Sequence, residues 1–424
     1  MLISLTVKNF RSIKDSVTLD FHASSDKTMA DQAISSSNMT PLLKSLAIYG
    51  ANASGKSNIF KAYASIRLMI LESQLRSTLS DNLPNEFFKL SSTTENKPSY
   101  FEICFIIDDE TYKYGFEIDK LKIVSEHLFQ DKGKKTLFNR KYQQIDSNKN
   151  YLKEATKNLK TNTNEKSLFL TVLASNNVEI AKKIIQFIQN TNIIVGTEIK
   201  STLDYSFNQY LKNPKIAEQM KEFITKADFG VIDIKANETM LTADQVHNIP
   251  DKFKEFLLSE KSTITQRQIA LIHDKYNDKN KKISPQPLDF LSEESFGTQQ
   301  FFALSAPILD TLQNGKVLFI DEIDTCLHPT LSQYLISIFN SKERNPHNAQ
   351  LVFTTHDLSH LKQEYLRRDQ IYFTDKDDYG ATELYSLSDI SERKGVDFAK
   401  RYLEGRYGAL PYLSDFEDLK FDKQ

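Results

Sequence analysis

The chain carries its apolar residues in short runs that alternate between strand-like and helix-like spacing. Residues 2–21 alternate apolar and polar positions around a turn at residues 11–14, which predicts two short strands. Residues 45–49 form an apolar run that ends in Gly50, and residues 58–75 carry apolar side chains at helical spacing. Between residues 100 and 128 the alternation returns and predicts an antiparallel hairpin.

The middle of the chain is more polar than either end. Residues 142–289 are rich in Lys, Asn and Glu, and amphipathic stretches at residues 178–188 and 216–224 predict a mainly helical insertion with loops. Its most polar part spans residues 236–282.

The C-terminal third returns to an alternating pattern. The predicted elements are a helix at 298–312, a strand at 316–320, a helix at 331–339 and a strand at 350–354. This order favours an α/β fold with a mostly parallel sheet and helical cover. The predicted domains are an N-terminal lobe with a hairpin subdomain at 1–140, the helical insertion at 141–289 and a C-terminal lobe at 290–424.

Composition narrows the class of protein only slightly. The 424 residues carry a formal net charge of -2, so the chain as a whole is not a basic nucleic-acid binder, although local basic patches stay open. Cys104 and Cys326 lie far apart, which predicts two buried thiols. The N-terminus lacks a signal-peptide pattern, and no run reaches the roughly 18 apolar residues of a membrane span. We therefore expect a cytoplasmic protein without membrane contact.

A glycine-rich loop between the first buried strand and the first helix matches the pattern G-x-x-x-x-G-K-S at every fixed position. Its residues are Gly50, Ala51, Asn52, Ala53, Ser54, Gly55, Lys56 and Ser57, and Asn58 follows. The glycines let the backbone wrap closely around phosphates, and amides at the helix start point at phosphate oxygens. Lys56 neutralises phosphate charge and Ser57 ligates Mg²⁺. The loop predicts a site for ATP and Mg²⁺, with Lys56 also in a catalytic role.

A second motif joins an apolar strand at residues 317–320 to two adjacent carboxylates. Asp321 is suited to hold the magnesium, directly or through water. Glu322 is then placed to polarise the attacking water as a general base. Alone, a strand followed by two carboxylates is a weak indication of function. Together with the glycine-rich loop in the same chain, it predicts an ATPase site.

Two further motifs complete the candidate site. His356 follows the apolar strand at residues 350–354, where its ring could contact the terminal phosphate or the water. Ser295, Gly297 and Thr298 form a turn ahead of a predicted helix. Such a turn binds phosphate through backbone amides, or it serves as an ordinary helix N-cap, and the residues alone do not decide between these two roles.

The order of these four motifs resembles the ATP-binding cassette (ABC) class of ATPases, in the branch that includes SMC, RecF and the OLD proteins. In that branch a first strand leads into a turn like that at residues 9–12, which implies a nucleotide contact by Arg11. The resemblance also implies that residues 295–299 are the signature segment, that Asp324 lies in the D-loop and that His356 is the switch histidine. Whether Ser295 or Thr298 supplies the signature hydroxyl stays open.

The chain is similar in particular to AAA-annotated ATPases of bacterial anti-phage and abortive-infection systems, including the ATPase subunits of PARIS and Septu. The shared segments are residues 112–116, 319–324, 327–329 and 401–411. This resemblance implies a homodimer or higher homo-oligomer, in which the signature of one head caps ATP on the loop of the other. It further implies a nuclease or toxin-like effector protein as partner, and it leaves a phage trigger protein and nucleic acid open as partners.

Three functions are compatible with these motifs. The first is an ATP-driven sensor or scaffold in phage defence that controls an effector. The second is a RecF-like or SMC-like DNA maintenance ATPase that clamps DNA directly, for which salt-dependent DNA binding would be diagnostic. The third is an interaction module with a vestigial ATP site, against which stand the intact Lys56, Asp321 and Glu322.

Overall fold

The structure is a computed structural model that describes residues 1–36, 39–79, 83–196, 199–242, 263–393 and 395–411. The chain divides into two compact units. The larger unit comprises Met1–Gly196, Thr311–Asp324 and Ser332–Gln424, and the smaller comprises Thr197–Asp310 and Thr325–Leu331. These bounds differ from the three-part division expected from the sequence, which stays a prediction.

The larger unit contains a six-stranded, mostly parallel sheet. Its strands, in spatial order, are β11 (Asn192–Ile194), β15 (Val317–Ile320), β16 (Gln350–Thr354), β5 (Ser45–Gly50), β17 (Ile371–Lys376) and β18 (Thr382–Ser386). The first five run parallel, and only β18 is antiparallel to its neighbour. Every residue of β5, β15 and β16 is buried, which explains their continuous apolar sequence. The predicted parallel sheet is confirmed, and it places β16 between β5 and β15.

A second sheet of the larger unit is antiparallel and has seven strands. In spatial order they are β10 (Gln144–Ser147), β9 (Lys135–Lys141), β8 (Ile123–Gln130), β7 (Glu110–Ile118), β6 (Ser99–Ile107), β1 (Leu2–Lys8) and β2 (Val17–Asp20). The predicted N-terminal strands and the predicted hairpin are confirmed as the pairs β1/β2 and β6/β7. Asp108 and Asp109 turn this hairpin with positive φ values of 50° and 62°.

The helices of the larger unit follow the predicted spacing where the pattern is regular. They include α1 (Lys56–Leu79), α2 (Lys157–Thr161), α3 (Phe169–Ser175), α4 (Glu179–Gln189) and the short C-terminal α9 (Phe398–Leu403). The long α7 (Phe296–Asn314) and α8 (Pro329–Asn340) each belong to both units. A two-stranded sheet of β3 (Ala33–Ser36) and β4 (Met39–Leu43) completes the larger unit.

The smaller unit combines helices with a sheet that the sequence did not predict. Helices α5 (Ile199–Lys212) and α6 (Pro214–Thr225) accompany a three-stranded antiparallel sheet of β12 (Val231–Thr242), β13 (Thr263–Tyr276) and β14 (Lys282–Asp289). Phe207 and Phe290 pack against Phe302 with ring centroids 5.3 Å and 4.9 Å away, which forms an aromatic core. The polar stretch at 236–282 thus contains strands, except for its residues 243–262, which lie outside the described ranges.

A fully buried ion pair lies in the core of the larger unit. Glu126 and Arg140 have no exposed side-chain surface, and their closest charged atoms are 3.5 Å apart. Glu126 also accepts hydrogen bonds from the backbone N–H groups of Phe169 and Leu170 at 2.6 and 2.9 Å, at the start of α3. Arg140 donates to the backbone oxygen of Ser167. The pair therefore ties β8 and β9 to the helical segment that follows them.

The expectation of two buried thiols is wrong for Cys326, which is exposed, and Cys104 is only half-buried. Cys326 lies beyond β15 with a φ of 60°. The chain turns at this position, so an apolar neighbourhood in sequence does not become burial.

Candidate phosphate-binding site

The glycine-rich loop connects β5 to α1, as its pattern predicts. Gly50 has a φ of 155° and Gly55 a φ of 110°, and a Cβ on Gly50 would lie 2.4 Å from the backbone oxygen of Thr374. On Gly55 a Cβ would lie 2.2 Å from Thr382 Oγ1. Glycine is therefore required at both positions, both for the backbone angles and for close packing on the neighbouring strands.

Lys56 is buried at the first position of α1 and folds back over the loop. Its Nζ donates to the backbone oxygens of Gly50 at 2.8 Å and Ala51 at 3.0 Å. Burial lowers the pKa of Lys56, whereas the negative charges of Asp321 and Glu322 raise it. These electrostatic interactions link the loop to the two carboxylates, which are more than 260 residues away in the sequence.

A buried threonine on the adjacent strand holds the carboxylate of Asp321 and the backbone of Glu322. Thr354, at the end of β16, donates its hydroxyl to Asp321 Oδ1 at 2.7 Å and accepts from the backbone N–H of Glu322 at 2.7 Å. Asp321 is buried and Glu322 is half-buried. Glu322 has a φ of 54°, a conformation that a non-glycine residue rarely adopts and that often marks functional turns.

His356 follows β16 and lies at the same edge of the sheet. Its backbone N–H is 3.3 Å from Asp324 Oδ2, so the predicted switch histidine and the predicted D-loop aspartate are in contact. Partial burial lowers the pKa of His356, and the charge of Lys56 lowers it further, while Asp324, Glu322 and Asp321 oppose this effect. The predicted catalytic residues thus influence one another electrostatically.

The N-terminal turn lies beside the start of α1. Ser12 Oγ accepts from Asn58 Nδ2 at 2.7 Å and is 2.7 Å from Thr382 Oγ1. Arg11 next to it pairs with Glu86 at 2.7 Å and has a φ of 51°. Ser12 and Asn58 therefore meet at the start of α1. Ser57 is half-buried in the first turn of this helix.

The predicted signature segment, residues 295–299, lies in the smaller unit at the start of α7. Ser295 Oγ accepts from the backbone N–H of Thr298 at 3.1 Å, which is the geometry of a helix N-cap. Ser295 is exposed and Thr298 is buried, so Ser295 presents the accessible hydroxyl. A Cβ on Gly297 would lie 2.7 Å from the backbone oxygen of Cys326. The local hydrogen bonds fit the N-cap interpretation. The exposed side of the helix start takes no part in these bonds, so it stays available for a phosphate.

Sequence reasoning missed the residues that hold the loop and the carboxylates in place. Thr354 donates to the carboxylate of Asp321, Thr374 Oγ1 lies 2.6 Å from Ser54 Oγ, and Thr382 Oγ1 donates to the backbone oxygen of Ser54 at 2.8 Å. All three threonines are buried on strands next to the loop. Their only sequence signal is a hydroxyl residue in or just after an apolar strand, which does not identify a partner.

Residues 401–411, one of the segments that resemble the anti-phage ATPases, pack against β5, the strand that leads into the glycine-rich loop. Tyr402 lies 6.3 Å from Tyr49 and 5.5 Å from Phe373 between ring centroids, and its hydroxyl donates to the backbone oxygen of Ala409 at 2.8 Å. Pro411, together with Leu410, Asn52 and His356, lines a cavity of about 180 Å³ beside the loop. Residues 401–411 therefore help to form the surroundings of the candidate site.

Two short basic runs of the sequence, at residues 132–135 and 367–368, differ in their exposure. Lys132 and Lys134 are exposed in the turn between β8 and β9. Arg367 is buried, with Nε and Nη2 bonded to the two carboxylate oxygens of Asp369 at 2.9 and 2.6 Å. Arg367 therefore has a structural role and does not form a basic surface with Arg368.

The larger unit combines a mostly parallel sheet, a glycine-rich loop and a lysine at the start of the following helix. Two acids follow β15, which is separated from β5 by one strand. These features define the class of P-loop nucleotide-binding proteins. Residues 45–361 match the family described as "AAA domain, putative AbiEii toxin, Type IV TA system". The chain belongs to this family.

Comparison with solved structures returns the heads of SMC and RecF proteins. An SMC head bound to the C-winged helix domain of ScpA has a TM-score of 0.42 and 14% identity, covering 91% of this chain and 97% of that one. The SMC head domain from Thermotoga maritima has a TM-score of 0.39 and 14% identity, with 91% and 98% covered. RecF with ATP has a TM-score of 0.36 and 13% identity, with 91% and 97% covered.

A search of curated proteins found no match. None of the described helices combines the length and the apolar character that crossing a membrane requires.

Proposed function

We propose that the chain binds Mg²⁺–ATP and hydrolyses it to ADP and phosphate. The observation that carries this proposal is the convergence of Lys56, Asp321 and Glu322 at the carboxyl edge of one parallel sheet. In open α/β sheets ligands bind at this edge. The family match supports nucleotide binding, since it spans both the loop and the carboxylates.

Each residue then has a chemical role. Lys56 and the amides at the start of α1 neutralise phosphate charge. Ser57 and Asp321 supply the hard oxygen ligands that Mg²⁺ prefers, and a magnesium site in this class needs only one or two protein ligands beside the phosphates. The metal offsets the charge that develops on the phosphates. Glu322 accepts a proton from the attacking water, and His356 orients that water or the terminal phosphate.

The active form is proposed to be a homodimer with composite sites. Ser295 is exposed at the N-terminus of α7, and the side chain of Phe296 is 76% exposed. A large exposed apolar side chain beside a helix N-terminus favours an interface in which both meet a partner. In the ABC arrangement that partner is the P-loop face of a second copy, and Ser295 supplies the capping hydroxyl, since Thr298 is buried.

At the level of the cell, we infer a sensor or scaffold in anti-phage defence, of the kind that PARIS and Septu ATPase subunits represent. ATP-driven dimerisation would control a nuclease or toxin-like effector, and hydrolysis would release it. Support comes from the family description, which refers to a toxin–antitoxin system.

Mixing two inactive variants tests the composite site. Lys56→Ala removes the P-loop cation but keeps the signature, and Ser295→Arg blocks the signature but keeps the P-loop. In a heterodimer one complete site forms, so a one-to-one mixture should regain about a quarter of the parent turnover for a twofold-symmetric dimer. A mixture of Lys56→Ala with Glu322→Gln, which damage the same side of the site, is the control. Equal activity in both mixtures would contradict the dimer.

The effector proposal has its own test. Glu322→Gln should hold ATP and the dimer, so as bait in the native host with ATP present it should retain an effector that Lys56→Ala does not retain. If both baits recover the same proteins, nucleotide-controlled effector binding is refuted, and the ATPase proposal is unaffected.

A further inference from the structure

A C-terminal segment of the larger unit borders the cavity beside the glycine-rich loop. The cavity has a volume of about 180 Å³, and its lining includes loop residues 50–52 and His356 together with Leu410 and Pro411. We call residues 405–411 the strap. A water molecule takes about 30 Å³ in the liquid, so the cavity has room for a phosphate group and a water molecule.

Lys56 indicates which end of the phosphate chain this cavity would adjoin. The lysine of a phosphate loop reaches the β- and γ-phosphates. Its Nζ lies 2.8 Å from the backbone oxygen of Gly50 and 3.0 Å from that of Ala51, and both residues line the cavity. His356, proposed above to orient the terminal phosphate or the attacking water, lines it as well. The cavity therefore lies at the terminal-phosphate end of the proposed ATP site.

The strap has an unusual backbone conformation where it meets β17 and β18. Gly408 and Ala409 have φ values of 66° and 58°. A Cβ on Gly408 would lie 2.9 Å from both Asp375 Oδ2 and the hydroxyl oxygen of Tyr385. Ala409 is 1% exposed, and a non-glycine residue rarely adopts such a φ. Strain of this kind persists only where the surrounding structure fixes the backbone, and it is concentrated at functional sites.

Hydrogen bonds from neighbouring side chains fix the strap. Asp375 Oδ2 accepts from the backbone N–H of Ala409 at 2.7 Å, and the hydroxyl of Tyr402 donates to the backbone oxygen of Ala409 at 2.8 Å. The hydroxyl of Tyr385 donates to the backbone oxygen of Tyr407 at 2.5 Å. Asp375 belongs to β17, which pairs with β5, the strand that leads into the loop. The strap is therefore tied to the same sheet as the phosphate loop.

The strap contributes apolar residues to a lining that is otherwise rich in polar groups. Leu410 is half-buried and Pro411 is exposed, and neither side chain can form a hydrogen bond. A water molecule in the cavity must therefore bond to the loop backbone, to His356 or to the phosphate. Exclusion of bulk water also strengthens the attraction between Lys56 and phosphate charge.

We propose that the strap forms one wall of the subsite for the terminal phosphate and the attacking water, and that Asp375 holds this wall in place. Asp375 acts through Ala409 and Leu410, so it is a positioning residue. The proposal rests on the proposed ATPase function and assigns a further part of the same site. ADP lacks the terminal phosphate, so the strap should affect ATP hydrolysis without affecting the affinity for ADP.

Calorimetry on the full chain with Mg²⁺ and ADP, alone and with orthovanadate, tests the proposal together with ATP turnover. Orthovanadate takes the place of the terminal phosphate. Asp375→Ala removes the acceptor for the N–H of Ala409. It should bind ADP like the parent, bind ADP with orthovanadate about tenfold more weakly and hydrolyse ATP about tenfold more slowly, the effect of one lost hydrogen bond to a charged group. Asp375→Asn keeps an acceptor oxygen and should restore most of both.

Leu410→Ala is a second variant, which opens the wall and leaves the hydrogen bonds of Asp375 in place. It should also weaken orthovanadate binding but not ADP binding. Leu403→Ala is the matched control, since Leu403 is 63% exposed on α9 and should behave like the parent.

Two results would overturn the role of the strap while the ATPase proposal stands. The first is parent-like orthovanadate binding in both Asp375→Ala and Leu410→Ala. The second is an equal loss of ADP and orthovanadate binding, which would show that the strap only supports the loop as a whole. A parent chain that binds no ADP and hydrolyses no ATP would instead refute the proposed function, and the role of the strap with it.

Discussion

Replacing Thr354 by valine removes one hydroxyl and nearly nothing else. Valine keeps the volume and the β-branched shape, so β16 should still form. The hydroxyl is the donor to Asp321 Oδ1 and the acceptor for the backbone N–H of Glu322, both at 2.7 Å, and Thr354 is fully buried. The change therefore removes both hydrogen bonds that Thr354 makes to these two polar groups at the candidate magnesium site.

The magnitude follows from the burial of these two groups. An unsatisfied buried polar group costs about 1–3 kcal/mol, and water can reach the half-buried Glu322 more easily than the buried Asp321. We expect a loss of about 2 kcal/mol in the free energy of unfolding. Displacement of a catalytic group by about 1 Å costs up to about a hundredfold in rate, so ATP turnover should fall by about tenfold to a hundredfold.

The assay combines urea denaturation with ATP turnover at varied Mg²⁺ concentration. Loss of orientation at Asp321 should raise the Mg²⁺ concentration needed for half-maximal turnover. Thr191→Val is the matched control, since Thr191 is equally buried and its hydroxyl lies 2.9 Å from that of Tyr63 on α1. It should lower stability without changing the Mg²⁺ dependence. If Thr354→Val also changes stability alone, the orienting role of Thr354 is refuted.

Three other predictions follow from burial and charge. The pKa of His356 in the folded chain is lowered from 6.5, so as pH falls the unfolded chain binds the proton first. The free energy of unfolding should therefore decrease as pH drops below 6.5. Urea titrations at several pH values should show a smaller slope of stability against pH for His356→Gln than for the parent. Glu126→Gln leaves the buried Arg140 without a counter-charge and should lower the free energy of unfolding by about 3–5 kcal/mol in denaturation experiments. A decrease below about 1 kcal/mol, as for an exposed ion pair, would contradict the buried pair. Gly55→Ala forces a Cβ to 2.2 Å from Thr382 Oγ1 and should abolish ATP binding in calorimetry, and unchanged affinity would rule out the close approach.

The sequence could predict which motifs meet at one edge of the sheet because each motif is local. The loop at 50–57 and the acids after residue 320 each need only a few adjacent residues, and parallel strands bring their carboxyl ends to one edge. This rule about parallel strands predicts that Lys56 and Asp321 lie close enough for the charge of Asp321 to affect the pKa of Lys56. No pairing of particular residues in the sequence was needed for that prediction.

What the sequence did not predict depends on contacts between distant segments. Strands β12 and β13 are polar over much of their length, so neither alternation nor a continuous apolar run identifies them. The sequence presents Thr354 as an ordinary strand residue, because its partner Asp321 follows a different strand, β15. Cys326 shows the opposite error, since a neighbouring apolar run suggested burial and the turn exposes the thiol.

The most direct test of the central claim measures bound ATP and turnover on the same sample of Glu322→Gln. If Lys56, Asp321 and Glu322 surround one Mg²⁺–ATP, this variant should bind ATP as tightly as the parent and hydrolyse it at least about a hundredfold more slowly, the effect of losing a general base. Hydrolysis at the parent rate would contradict the account, because Glu322 would then lie outside the reaction.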